Sequence, residues 1–173
     1  GVAWVEAGKK NMAAKAEAAV RQMEEGAASV DLHFARIGDE GTAKVAEELG
    51  KNATVEALGL RGNQITDEGA ANLAGALGDN TTLKQLYLGQ NQIADEGAAQ
   101  LLEGVRANWT LTRLYVSGNP MSDAAKQAVL DLVEQNKEDP AAAQARAEAA
   151  AGAVAVPPAE APLAGGAAAA GSA

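Results

Sequence analysis

Residues 55–77 read VEALGLRGNQITDEGAANLAGAL. In the first half Leu58 and Leu60 alternate with Ala57, Gly59 and Arg61, the period-two pattern of a short strand with one buried face. In the second half Leu73 and Leu77 stand one helical turn apart, so the unit reads strand, loop, helix. It returns 28 residues later as LKQLYLGQNQIADEGAAQLLEGV at 83–105, and again as LTRLYVSGNPMSDAAKQAVLDLV at 111–133. Leu58, Leu86 and Leu114 form one column; Leu60, Leu88 and Val116 a second; Asn63, Asn91 and Asn119 a third; Ile65, Ile93 and Met121 a fourth. The same interval upstream gives Val30, Leu32, Ala35 and Ile37, with IGDEG at 37–41 matching ITDEG at 65–69, so there are at least four copies.

The motif L-x-x-L-x-L-x-x-N, in register three times, resembles the leucine-rich repeat family over residues 27–136, in particular the 28-residue ribonuclease-inhibitor type also found in NOD-like receptors. The resemblance implies an α/β fold, a leucine-rich-repeat solenoid forming a short curved arc. A single strand and helix cannot bury an apolar face alone, so the units stack, with parallel strands on the concave face and helices on the convex one. Leu58, Leu60, Ile65, Leu73 and Leu77 are expected to point between the layers. In the family, asparagines placed as Asn63, Asn91 and Asn119 bond to backbone groups of the turn and hold repeats in register.

The ends depart from the pattern. Residues 1–26 are expected to be an N-terminal cap built as a degenerate repeat, because Val2 and Trp4 precede Val30 and Leu32 by 28 and a one-residue shift places Ala16 and Val20 in the helix columns. Residues 27–139 hold the four repeats. Residues 140–173 form an Ala/Pro/Gly-rich tail in which AAAQARAEAAA favours a short helix, and residues 152–173 are expected to order only in a complex, since they carry almost no large apolar side chain. The chain begins at Gly1 rather than Met, as a processed or trimmed chain would, and an intracellular location, cytoplasm or organelle, is expected.

Two adjacent Asp-Glu pairs, Asp67-Glu68 and Asp95-Glu96, invite a catalytic or metal reading. They belong to a column, Asp39, Asp67, Asp95 and Asp123, that recurs just before each helix. An Asp there accepts hydrogen bonds from the unpaired N–H groups of the helix start and complements its dipole, so these residues are expected to be helix caps. The sequons at Asn52, Asn80 and Asn108 repeat at the same interval and read as turn residues rather than glycan acceptors.

Composition removes other classes. The net charge of −9 without a basic stripe argues against a nucleic-acid surface. Zero cysteines and one histidine remove disulfides, thiolate nucleophiles and most triads and metal sites. No apolar run reaches the ~20 residues that span a bilayer. No cofactor, metal or catalytic residue is implied, and a non-enzymatic chain is expected.

Function is expected on the concave face, where the residues alternating with the buried leucines gather Asp31, His33, Arg61, Tyr87, Arg113 and Tyr115. Tyr and Arg are enriched at interface hot spots. Trp109 stands where the other copies have Ala53 and Thr81, either as a partner anchor at the rim or folded over Leu111. The sequence therefore reads as a protein–protein interaction module, a scaffold or peripheral subunit of a multi-subunit assembly with a protein partner. The alternative is a repeat-region fragment of a NOD-like innate-sensing receptor.

Overall fold

The computed structural model describes residues 2–153; the expectation for 152–173 falls, from residue 154 on, outside them. Helix α1 (Val2–Glu24) leads into β1 (Ser29–Asp31), α2 (Gly38–Lys51), β2 (Ala57–Gly59), α3 (Asp67–Asp79), β3 (Gln85–Tyr87), α4 (Asp95–Arg106), β4 (Arg113–Tyr115), α5 (Asp123–Glu138) and α6 (Pro140–Ala153). The strands pair in parallel in the order β1-β2-β3-β4, and Val30, Leu58, Leu86 and Leu114 lie opposite one another. Each 28-residue step in sequence is therefore one strand step across the sheet. The helices α1 to α5 pack each against the next in a second layer. Leu58, Leu60, Ile65, Leu73 and Leu77 are fully buried in the single core between the layers, as the columns require.

Two ladders of asparagine run through this stack. Asn91 donates from Nδ2 to Leu60 O (3.0 Å) in the preceding repeat and to Leu88 O (2.9 Å), while its Oδ1 accepts from Asn63 N (2.8 Å) and Ile65 N (3.2 Å). Asn63 and Asn119 repeat the pattern at Leu32 O and Leu88 O. The second ladder is made by the sequon asparagines. Asn80 donates to Leu49 O (2.8 Å) and Asn52 O (2.9 Å) and accepts from Leu83 N (2.7 Å); Asn108 does the same one repeat on. Both are almost fully buried with their amide nitrogens engaged, which closes them as glycan acceptors. Asn136 continues this ladder to Asn108 O and Leu111 O, a role that sequence reading missed because no strand follows it.

The aspartates need a correction. Asp39, Asp67 and Asp95 do not cap their own helices: α2, α3 and α4 have no side-chain cap bond at Ile37, Thr66 or Ala94. Each instead reaches forward one repeat. Asp39 accepts from Thr66 N (2.8 Å), Gly69 N (3.1 Å) and Thr66 Oγ1 (2.7 Å), Asp67 from Ala94 N (2.7 Å), and Asp95 from Ser122 N. A Cβ on Gly69 would lie 2.4 Å from Asp39 Oδ1, and one on Gly97 2.4 Å from Asp67 Oδ1, so glycine is what lets the carboxylate in. In the fourth repeat Ser122 caps α5 through Ala125 N (3.3 Å), which accounts for alanine there. Asp123 has no following repeat to reach and bonds Lys126 (3.0 Å).

The N-terminal segment also differs from expectation. Val2 and Trp4 lie in α1, a helix that runs 23 residues without a strand, so this end is closed by a helix rather than by a degenerate repeat. The composition explains it: Ala, Lys, Glu, Met and Arg dominate, all strong helix formers, and two isolated apolar residues do not make a strand against them. Ala16, Ala19 and Met23 are buried against the stack; Val20 is half-buried. At the other end α6 packs on α4 and α5 through buried Ala143 and Ala147.

Removing residues 1–26 uncovers the apolar side of the first repeat, so the truncated chain should scatter light on concentration and melt at lower temperature; a monomer with unchanged melting would show that α1 covers nothing needed. The two ladders predict an order of severity. Asn91→Ala leaves several buried backbone groups unpaired and should cost at least about 2 kcal/mol, whereas Asp67→Ala should cost about 0.5–2 kcal/mol, both read from urea unfolding at constant slope.

Candidate interaction surface

The concave face is built by the strand residues that point away from the core. Because every strand is in the same register, Asp31, Gly59, Tyr87 and Tyr115 form one row. Tyr87 and Tyr115 stack face to face with centroids 4.6 Å apart and rings 3° from parallel. Tyr115 is 48% exposed although nothing in the core requires an aromatic there. Tyr87 donates its hydroxyl to Gln85 Oε1 (2.9 Å), which fixes the ring from its own strand.

His33 joins this row from two repeats away. Its ring meets Tyr87 edge-on at 5.8 Å, crossing the β2 position held by Gly59. A Cβ on Gly59 would sit 2.7 Å from His33 Nε2, so the missing side chain is the gap through which the imidazole reaches Tyr87. Asp31 orients the histidine, accepting from His33 N at 2.8 Å with Nδ1 at 3.2 Å. The result is a continuous line of rings, His33, Tyr87 and Tyr115, held by backbone spacing.

The remaining expected residues are distributed differently. Arg61 leaves the tyrosine row: its Nε donates to Gln90 Oε1 (3.1 Å) and its guanidinium lies 5.5 Å from the Phe34 ring centroid. Arg113 is exposed beside Tyr115 and makes no ion pair among the described residues. Trp109 is half-buried and shares an open groove with Thr54, Thr82, Lys84 and Thr112 at the end of the sheet where the strands begin, apart from the tyrosines.

Phe34 is the residue that sequence reading missed. It is 59% exposed and has a left-handed backbone (φ 56°). Its column continues through Gly62 (φ 69°), Gln90 (φ 55°) and Gly118 (φ 81°), so every repeat turns left-handed here. Glycine in two of the four copies is the signal that could have found it. A bulky residue in such a conformation is an outlier, and its ring covers Gly62, where a Cβ would meet Cδ1 at 2.4 Å. Among the described residues no cluster of His, Asp and Glu is arranged to hold a metal, and no helix is long and apolar enough to cross a membrane.

Gly59→Ala tests how the row is held. The new methyl should push His33 off Tyr87, so the His33 ring protons should lose the ring-current shift of the tyrosine in NMR spectra while the chain stays folded. Unchanged His33 shifts would show that the gap does not matter.

A family model described as Leucine Rich repeat matches residues 51–74 and 79–102. Among solved structures, the domain titled leiomodin-1 actin-binding site 2 superposes with a TM-score of 0.58 at 18% identity, over 79% of this chain and 96% of that one. The tropomodulin C-terminal domain of Caenorhabditis elegans matches at 16% identity and a TM-score of 0.48, over 71% of this chain and 93% of that one. No curated protein sequence matches. The sequence match falls on the second and third repeats, the backbone carries the same unit before and after them in one register, and on that agreement the chain is built of leucine-rich repeats.

Proposed function

We propose that this chain is a non-enzymatic interaction module that holds a polypeptide partner on its concave face, as a scaffold or peripheral subunit of a larger assembly. The observation that carries this reading is the row His33, Tyr87 and Tyr115: aromatic surface, half-buried at Tyr87 and exposed at His33 and Tyr115, ordered by stacking and by a glycine gap, with no role in the core. Large rings already fixed in place lose little entropy on binding and supply the contact area typical of hot spots. Arg113 stands exposed beside Tyr115 with no ion-pair partner among the described residues, available to an acidic or carbonyl group of the partner. The leiomodin-1 domain, titled an actin-binding site, is an arc of this kind that serves a protein partner, which supports the same class of role here. The 28-residue unit also supports assignment to the ribonuclease-inhibitor type of repeat.

The partner is identified by placing a photo-crosslinking residue at position 117, beside the row, and sequencing the captured protein. With that partner in hand, Tyr115→Ala and Arg113→Ala should each weaken binding by about 30-fold, or ~2 kcal/mol, with melting unchanged because neither side chain enters the core. Full affinity in both variants, with loss from substitutions on α3 or α4, would move the working surface to the convex side.

A further inference from the structure

The last strand, β4, has the same backbone pairing groups as the strands before it and, among the described residues, nothing to pair them with. In the first three repeats a fixed set of bonds joins each strand to the next. Leu32 N, Leu60 N and Leu88 N donate to Gly59 O, Tyr87 O and Tyr115 O at 2.7–2.8 Å. Phe34 N, Gly62 N and Gln90 N donate to Arg61 O, Gly89 O and Ser117 O. Ala28 O, Glu56 O and Lys84 O each accept two amides from the following strand. The corresponding groups of the fourth repeat are Val116 N–H, Gly118 N–H and Thr112 C=O, and none has a partner among the described residues. Val116 is only 2% exposed, so water reaches its amide poorly and an incoming carbonyl would relieve it.

The described residues do not supply a fifth strand. By the repeat interval, residues 141–143 would occupy that place, but they lie in α6. The oxygen that starts each strand explains the switch. Asn52, Asn80 and Asn108 accept at Oδ1 from Val55 N, Leu83 N and Leu111 N, turning the chain into β2, β3 and β4. Asn136 gives its Oδ1 to the Arg146 guanidinium instead, and α6 folds onto α4 and α5 without touching β4. Beside the open edge, Leu114, Leu130 and Val133 line a groove with Glu134 and Lys137 at its margin.

We propose that the β4 edge is a second docking site, which receives one extended polypeptide segment of a partner protein as a parallel fifth strand. The three upstream repeats define what fits: two successive N–H groups for Thr112 C=O, carbonyls for Val116 and Gly118, and apolar side chains at alternate positions to enter the groove. A second copy stacking as a whole repeat would have to bring its α1 against α5, where α6 already packs. The site is independent of the concave-face reading, since it is made of backbone groups and of the groove toward α5.

The probe is a synthetic peptide of residues 81–93 of this chain, TTLKQLYLGQNQI, which holds that place against β2 within the fold. Added to the full chain, it should shift the Val116 and Gly118 amide signals and slow their hydrogen exchange. The same peptide N-methylated at Lys84 and Gln85, and the chain variant Leu130→Glu with its melting checked, should each bind at least tenfold more weakly. Tyr87→Ala should leave peptide binding in place, which separates this site from the concave one. No change at those amides up to millimolar peptide, or equal binding of the N-methylated peptide, overturns the proposal. So does protection of Val116 and Gly118 without peptide: if it rises with protein concentration the occupant is a second copy, and if it does not the edge is already covered.

Discussion

The stacking of the repeats depends on asparagine amides, five of the seven buried, that meet the backbone of the preceding repeat. Strand exits and helix ends both leave carbonyls that point along the solenoid into its interior, and an unpaired buried carbonyl is destabilising by about 1–3 kcal/mol. Asn63, Asn91 and Asn119 answer this at the strand exits, Asn52, Asn80, Asn108 and Asn136 at the helix ends. Such bonds form only if each repeat has the same length, because a single inserted residue would carry the amide away from its carbonyl. The equal spacing then puts side chains in straight columns, and the columns bring Tyr87 onto Tyr115 and place Gly59 in the path of His33.

Much of this was legible because the constraint is periodic. Core positions, strand registers and the tyrosine pair follow from the 28-residue interval without knowledge of any distance. The aspartates show where such reading stops. Their position before a helix was visible, but a capping rule is local in sequence, and the true acceptor geometry joins Asp39 to Thr66 and Asp67 to Ala94, 27 residues away. The contact of His33 with Tyr87 was hidden for a related reason: it depends on what Gly59 lacks. Phe34 was overlooked because its column mixes Phe, Gly, Gln and Gly, which looks featureless until the shared left-handed backbone is known.

The two ends of the stack are closed by different means, with consequences for what each can bind. At the N-terminal end α1 extends the helix layer, burying Ala16, Ala19 and Met23. At the C-terminal end α6 turns back onto α4 and α5, drawn by Arg146 to Asn136, and its contacts stay within the helix layer. Solenoids need terminal units with a polar outer face to avoid open-ended association. Here α6 covers the C-terminal end of the helix layer, while the β4 edge of the sheet is only three residues long, short enough to resist indiscriminate pairing.

The left-handed column carries backbone strain in two of its four copies. A non-glycine residue in that conformation is disfavoured by roughly 1–2 kcal/mol, and Gly62 and Gly118 show that the fold accepts glycine there. Phe34 and Gln90 nevertheless occupy it, and both act on one side chain: the Phe34 ring lies beside the Arg61 guanidinium and Gln90 accepts from its Nε. Arg61 is thus held between two strained residues of the neighbouring repeats, its position set before any partner arrives. A cation fixed in this way loses less entropy on contact than a free one. Backbone strain retained where glycine would relieve it holds Phe34 and Gln90 on either side of the Arg61 side chain.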